Sequence, residues 1–400
     1  MNNYHLQDIV LNAVKDAFNA AYQKASLNDH NSFLASADAN DTKEKYPFVS
    51  SYQVDNWNGE RSEEQISLDD FIYKLTENEE IVVEHPFSLP TSLYKFYSST
   101  DHSIDAFTNH YLYATAPIEF NDILDSSWLL FDFQNITLNE YKKFYRENES
   151  IFPKRVQKDY ADDKANDFRT IKLHWYLYFS SKAGLISLSA SASCPLMWAH
   201  YTKETGFAIE FDRKKLLQNM IWDKDGIIDF HLAPIQYLSK LQPLKFFTRE
   251  FTTPTIPMTA ITNIKHNAWR YEEEWRISIR KPDLGFTTGV ASYNIFNRQG
   301  LNDRKCHYSL DCVKAVYLSA YFLGSTYFEH SDTETLVVKP KYIPFLHYLY
   351  ENHNNHLYFC GGDCTPNNEV KRSYQQIQLL RKEINQFEIK IFPEVCYFDK

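Results

Sequence analysis

Apolar and polar positions along the chain predict a mixed set of elements. Residues 4–24 place Leu6, Ile9, Val10, Ala13, Val14, Ala17, Phe18 and Ala21 at helical spacing and leave Asp8, Lys15, Asp16 and Lys24 for solvent, which predicts an amphipathic helix. Residues 28–64 are polar and hold no period, as a loop-rich connection would be. Ser67, three residues ahead of Asp70, reads as a capping-box-like start to a short helix, and a strand follows at residues 81–83. From Leu93 to Pro344, short segments read as strands between long helical or irregular stretches: "SLYKFYS", "HYLYATAP", "LISLSA", "GFAIEFD", "WRISIR" and "VKAVYLSAYF". After "FCGGDCTPNNE", Ile377, Leu380, Ile384, Phe387 and Ile391 step by three and four, with Pro366 placed as a first-turn residue. This predicts a terminal helix that docks on a partner protein or on the chain's own core.

The pattern is α+β without regular βαβ alternation. It divides into a helical and loop-rich extension over 1–90, a main domain over 91–344 and a helical extension over 345–400. No internal repeat interrupts this division.

Composition narrows the functional classes. The 400 residues are 44% hydrophobic and 16% aromatic, enough for a large core, and the formal charge of -10 argues against a protein built chiefly to grip phosphates. Six cysteines are too few for a disulfide scaffold in so long a chain, which fits a reducing cytoplasm. The first residues lack a basic region followed by an apolar run, and no stretch of about eighteen apolar residues occurs, so neither a signal peptide nor a membrane span is expected. Only 10 glycines are present, and no G-x-G-x-x-G, G-x-x-x-x-G-K-[ST] or H-E-x-x-H can be found. Any nucleotide chemistry therefore uses a site of another kind.

The segment "HNAWRYEEEWRISIR" sets three glutamates at the mouth of an alternating strand. A period of two over residues 272–280 puts Glu272, Glu274, Arg276 and Ser278 on one face, with the two carboxylates about 7 Å apart, and turns Glu273, Trp275, Ile277 and Ile279 towards the core. Paired carboxylates can steady a cationic transition state and orient or deprotonate a nucleophile, as in glycosidic cleavage. Equally, such a charge run is what a solvated strand end looks like, paired with Arg270, Arg276 and Arg280.

"SASCPLMWAHYTKETGFAIEFD" gathers Met197, Trp198, His200 and Tyr201 just ahead of a strand. A Trp, a Tyr and a neutral His suit the stacking and orientation of a heterocycle, although a His among aromatics is also a common core residue. Upstream, Tyr94, Lys95, Tyr113 and Thr115 lie on or near strand ends. Cys360, Cys364, His353 and His356 fall within loose zinc-ligand spacing, which a turn ending in cysteine produces as well. No metal is assigned to them.

Four segments in this order, "LYKFYS", "LYATAPIEFNDILD", "ISLSASASCPLMWAHYTKETGFAIEFD" and "WRYEEEWRI", resemble a bacterial family catalogued as a domain of unknown function, from about Leu93 to Pro344. Two departures stand out: "LSASAS" replaces a Cys-Phe-Ser strand, and "FNDILD" lacks a proline. The order is in turn similar to that of the ADP-ribosyltransferases, which implies a split β-sandwich core and NAD as co-substrate. Carried over by residue, the likeness implies Tyr94 and Lys95 on the first strand, Tyr113 and Thr115 on the second, and Glu274 on the third with Glu272 two before it. Glu274 would then bond the nicotinamide ribose, Glu272 would position the acceptor, Lys95 would face the diphosphate, and Tyr113 and Tyr201 would stack on nicotinamide, with His200 on a ribose hydroxyl. The expectation is a cytoplasmic NAD-consuming transferase of toxin or antiviral-defence type, acting on protein or nucleic acid. The alternative is a nucleotide-sensing or partner-binding module without chemistry.

Overall fold

The computed structural model describes residues 72–75, 81–84, 90–131, 139, 180–220, 229–243, 261–281, 284–285, 304–324, 333–336 and 339–398. The helix expected over residues 4–24 lies outside them. Strands among the described residues are β1 (Ile72–Leu75), β2 (Ile81–Glu84), β3 (Ser92–Tyr97), β4 (Tyr111–Tyr113), β5 (Ala183–Ser189), β6 (Phe207–Asp212), β7 (Asp229–Pro234) and β8 (Gln236–Leu238). They continue with β9 (Ile264–His266), β10 (Glu274–Arg280), β11 (Lys305–His307), β12 (Val313–Leu318), β13 (Thr333–Leu336), β14 (Leu357–Cys364), β15 (Val370–Glu383) and β16 (Gln386–Tyr397). The α-helices that lie wholly among the described residues are α1 (Asp101–Thr108), α2 (Pro195–Met197), α3 (Arg213–Asn219) and α4 (Ile343–Asn352). None is long and apolar enough to cross a membrane.

Ten strands form one sheet in the order β13-β16-β15-β14-β12-β6-β3-β5-β10-β7. Every neighbouring pair is antiparallel except β12 with β14. A large, mostly antiparallel open sheet, accompanied among the described residues by few helices, agrees with the α+β expectation. All six segments read as strands above contribute to strands, and alternation explains why: Leu93 and Tyr97, Phe207, Ile209 and Phe211, and Trp275, Ile277 and Ile279 face a core closed by Phe107 of α1, Leu216 of α3 and Phe345 and Leu349 of α4. The opposite face carries Phe96, Ala208, Ala315, Tyr317 and Cys360, packed under Met197 and Trp198.

Two elements differ from the sequence expectation. The terminal helix is a β-hairpin, β15 with β16, joined through residues 384 and 385 and inserted between β14 and β13. Phe387 and Ile391, four apart, satisfy a period of two as well as the helical step, Ile389 between them fits the period of two alone, and β14 offers an edge to pair with, so the ladder decides the outcome. Pro393 lies in the irregular stretch of β16, where the register shifts between Gln375 and Ile377, so its missing N–H interrupts no regular pairing. Where a short helix is expected after Ser67, residues 72–75 form a strand that pairs antiparallel with Ile81–Glu84.

One junction in the sheet is thin. β3 pairs along its length with β6 but meets β5 through the single pair Tyr94 and Ser189. Beyond that point β5 is bridged instead by Thr115, paired with Leu185. Arg304, fully buried, fastens this region by donating to the carbonyls of Ala114, Ala183, Ser180 and Gly285 at 2.8, 3.0, 3.0 and 3.0 Å.

Candidate functional site

The glutamate segment begins as a single 3-10 turn, Asn267–Glu272, and becomes β10 only at Glu274. His266 caps the turn, its Nδ1 accepting from the Ala268 amide at 3.2 Å, and Glu273 ends it in the left-handed region at φ 42. That reversal splits the three glutamates. Glu273 is exposed, while Glu272 and Glu274 are 3% and 4% exposed. Ser189 Oγ donates to the Glu272 carbonyl at 2.6 Å, and the Glu274 amide donates to Tyr237 Oη at 2.9 Å, so neighbouring strands hold the turn on both sides.

The acids that alternation would place towards a cleft or water are therefore buried, and buried cations balance them. Lys265 Nζ lies 2.7 Å from Glu272 Oε2, 3.2 Å from Glu274 Oε2 and 3.4 Å from Asp125 Oδ2. Arg276, with no exposed surface, donates Nε and Nη2 to Glu274 Oε1 at 2.9 and 2.7 Å and Nη1 and Nη2 to Asp125 at 3.0 Å each. Its Nη1 also donates to the Thr262 carbonyl at 2.6 Å, and Phe120 lies beneath the guanidinium at 4.9 Å. The solvated-end pairing considered for Arg276 is in fact a desolvated one.

The two glutamates differ in character. Burial works to raise the Glu274 pKa, but Arg276 and Lys265 outweigh it and hold the carboxyl at about 2. For Glu272 burial wins: together with the Glu274 charge it lifts the carboxyl above its ordinary value in spite of Lys265. Burial pushes Lys265 down, yet three carboxylates carry it up to about 12. One buried acid is thus held as an anion by two cations, and burial raises the proton affinity of the other.

Lys95 completes the charged group from the thin junction between β3 and β5. Its Nζ donates to the Ser187 carbonyl at 2.8 Å, and burial, opposed by Glu274 and assisted by Arg276, brings its pKa down to about 8.

Above these charges lies an aromatic rim. Trp198–Thr202 forms one π-helical turn closed by Lys203 in the left-handed region, a local widening that often marks functional positions. From it Tyr201 Oη donates a short hydrogen bond to Glu272 Oε1. His200, expected among core aromatics or on a ligand, is exposed and shares a 3.0 Å hydrogen bond with Tyr271 Oη. The Trp269 ring lies 5.0 Å from Lys265 Nζ and 6.1 Å from the Tyr271 ring. Trp198 is fully buried, donates Nε1 to the Ala192 carbonyl at 2.8 Å and stacks under Arg372 at 5.1 Å, so it supports the turn from below.

Lys95, Tyr201, Glu272 and Glu274 therefore come together, with His200 at the rim. Tyr94 shares the second-face cluster with Tyr201 and stands 6.4 Å from Tyr317. Tyr113 and Thr115 belong to the adjoining β4 segment, where Tyr113 packs against the main core and influences Arg304. Asp125, Lys265, Tyr237, Trp269 and Tyr271 are additional members. The candidate zinc ligands do not converge: His353 stacks on Phe107 in the main core, Cys360 packs on the opposite sheet face, and Cys364 is exposed. All six cysteines are free thiols, and no group of three or more metal-ligating side chains occurs among the described residues.

Glu210 forms a second buried carboxylate on the site face. It accepts from Ser92 Oγ at 2.6 Å, Lys314 Nζ at 2.7 Å and Tyr317 Oη at 2.8 Å, and its strand position is opposite Tyr94.

No curated protein and no solved structure matches the chain. Residues 197–277, which run from the π-helical turn through Lys265 and both buried glutamates to the middle of β10, match the family described as "Protein of unknown function (DUF2971)".

Proposed function

We propose that the chain is an NAD-consuming ADP-ribosyltransferase of toxin or antiviral-defence type, with a core of that enzyme class, that modifies a macromolecule. One observation carries the proposal: Glu272, a buried acid of raised proton affinity, sits between the Tyr201 hydroxyl and Lys265 beneath an aromatic rim. Breaking the bond between nicotinamide and ribose builds positive charge on the sugar, and a desolvated carboxylate beside it lowers that barrier. The geometry favours exchanging the roles that the family resemblance implies. Glu274 carries two cations, Arg276 on Oε1 and Lys265 on Oε2, so it fixes the floor, whereas Glu272 meets one cation, Lys265, and the neutral Tyr201 hydroxyl, and is the acid that meets the sugar and takes up the acceptor's proton. Tyr201 orients Glu272, and Lys95 stands beside the site as a cation for the diphosphate.

Incubation of the full chain with NAD and candidate acceptors should release nicotinamide, and Glu272→Gln should abolish that release while leaving the folded spectrum intact. Full turnover by the Gln variant would defeat the proposal. A non-catalytic nucleotide-binding role is favoured by the complete pairing of Glu274, and NAD binding without nicotinamide release under any acceptor would select it.

A further inference from the structure

The turn that delivers Glu272 presents more than the carboxylate. Trp269 and Tyr271 are partly exposed on it, Arg270 between them is exposed, and His200 and Lys203 are exposed on the facing π-helical turn. The rings are spaced for contact rather than scattered: Trp269 to Tyr271 is 6.1 Å at 39°, and Tyr271 to His200 is 5.8 Å at 74°. The platform is also fixed. His266 caps its start, the Glu273 amide closes it on the Arg270 carbonyl at 3.2 Å, and the Ala190 amide donates to the Glu273 carbonyl at 2.9 Å.

Local charge runs against the chain's formal -10. On the segments 195–204 and 264–273, exposed Lys203 and Arg270 face one exposed acid, Glu273, while Glu204 is tied to Arg372 at 2.6 Å. Aromatic faces beside exposed cations are the elements by which single-stranded nucleic acid is held: bases stack on the rings and phosphates meet the cations. An acidic polypeptide would use the cations but leave the rings without stacking partners.

We infer that the rim formed by Trp269, Tyr271, His200 and Arg270 binds single-stranded nucleic acid and delivers an unpaired base to Glu272 as the acceptor. The inference rests on the function proposed above for the group transferred, but the binding itself does not require NAD. In the transfer step an N–H nitrogen of the base attacks C1 of the nicotinamide-bearing ribose. The carbon–nitrogen bond to nicotinamide breaks, its electron pair leaves with nicotinamide as the neutral amide, and the proton of the attacking nitrogen passes to Glu272.

The test is fluorescence anisotropy of labelled single-stranded RNA and DNA of mixed sequence with the full chain, without NAD, across a salt series. Binding is expected, with Trp269→Ala weakening it about 5- to 150-fold, the range for loss of one stacked base, and Trp269→Phe retaining most of it. Arg270→Ala should lower the magnitude of the logarithmic salt slope by about 0.7, the single-strand value for one phosphate contact. Labelled NAD added afterwards should transfer label to the oligonucleotide. The inference fails if no oligonucleotide binds at about 100 µM, the weak end of ordinary non-specific affinity, if Trp269→Ala binds as wild type, or if label passes only to polypeptide. Oligonucleotide binding sensitive to Trp269 in a protein that leaves NAD untouched would sustain the rim as a nucleic-acid site and remove the transferase proposal alone.

Discussion

Replacing Glu274 by Gln leaves its shape and removes its charge from a place where water cannot substitute for it. Arg276 would keep Asp125, and Lys265 would keep Glu272 and Asp125, but each buried cation would lose a counter-ion at 2.7 to 3.2 Å. Two estimates of the cost agree. Removing one partner of a buried ion pair typically costs about 3 to 5 kcal/mol. Independently, a carboxyl held at about 2 against an ordinary 4.5 contributes on the order of 3 kcal/mol at neutral pH, at about 1.4 kcal/mol per tenfold change in proton affinity. The sign follows from the depressed folded value: the contribution is complete above pH 4.5 and is lost as pH falls towards 2. Urea unfolding of wild type and Glu274→Gln at pH 7 should therefore differ by about 3 kcal/mol, and the gap should narrow between pH 4.5 and 3. A difference under about 1 kcal/mol at pH 7, or one that holds constant down to pH 3, would refute the reasoning that Glu274 is an anion locked by Arg276 and Lys265.

Other expectations can be checked separately. Gly206→Ala should destabilise by about 1 to 3 kcal/mol or more in denaturant unfolding, since a Cβ there would meet the Tyr97 carbonyl oxygen at 1.9 Å. His353, stacked on Phe107 and brought down to about 4 by burial and by His110, should contribute stability above pH 6.5 that is lost as pH falls towards 4, and His353→Phe should flatten that part of a pH–stability curve. Under a thiol-alkylating reagent in native conditions, exposed Cys364 should react ahead of Cys360, whose thiol burial pushes up to about 12; mass spectrometry reads the order. Tyr201→Phe removes a donor that favours the ionised Glu272, so the acidic limb of any nicotinamide-release profile should move to higher pH.

Local pattern made much of the sheet legible. The segments around Leu93, Phe207, Ile277 and Val316 alternate because one face of each meets the same helices, and that requirement is written at a spacing of two. The hairpin at residues 370–397 reads as a helix because Phe387 and Ile391 satisfy both periods, and only the edge supplied by β14 distinguishes them. The carboxylate pair could be singled out, but not its neutralisation. Asp125 lies 151 positions before Arg276, and the proximity of Lys265 to Glu272 depends on a left-handed residue at Glu273 that no hydrophobic pattern encodes. Asp125 closes the "FNDILD" segment, which was the one available hint.

The solitary pairing of Tyr94 with Ser189 has a consequence for how strain travels through the molecule. A sheet stitched by continuous ladders twists as a unit, but here the portion bearing Glu274 and the portion bearing Glu210 share one rung. Torque applied to either portion concentrates at that rung, next to the ammonium of Lys95 on the Ser187 carbonyl. The backbone amides of β5 that face β3 around Ser189 should accordingly exchange with solvent deuterium sooner than those in the continuous ladder with β10, making this joint the softest line across the sheet.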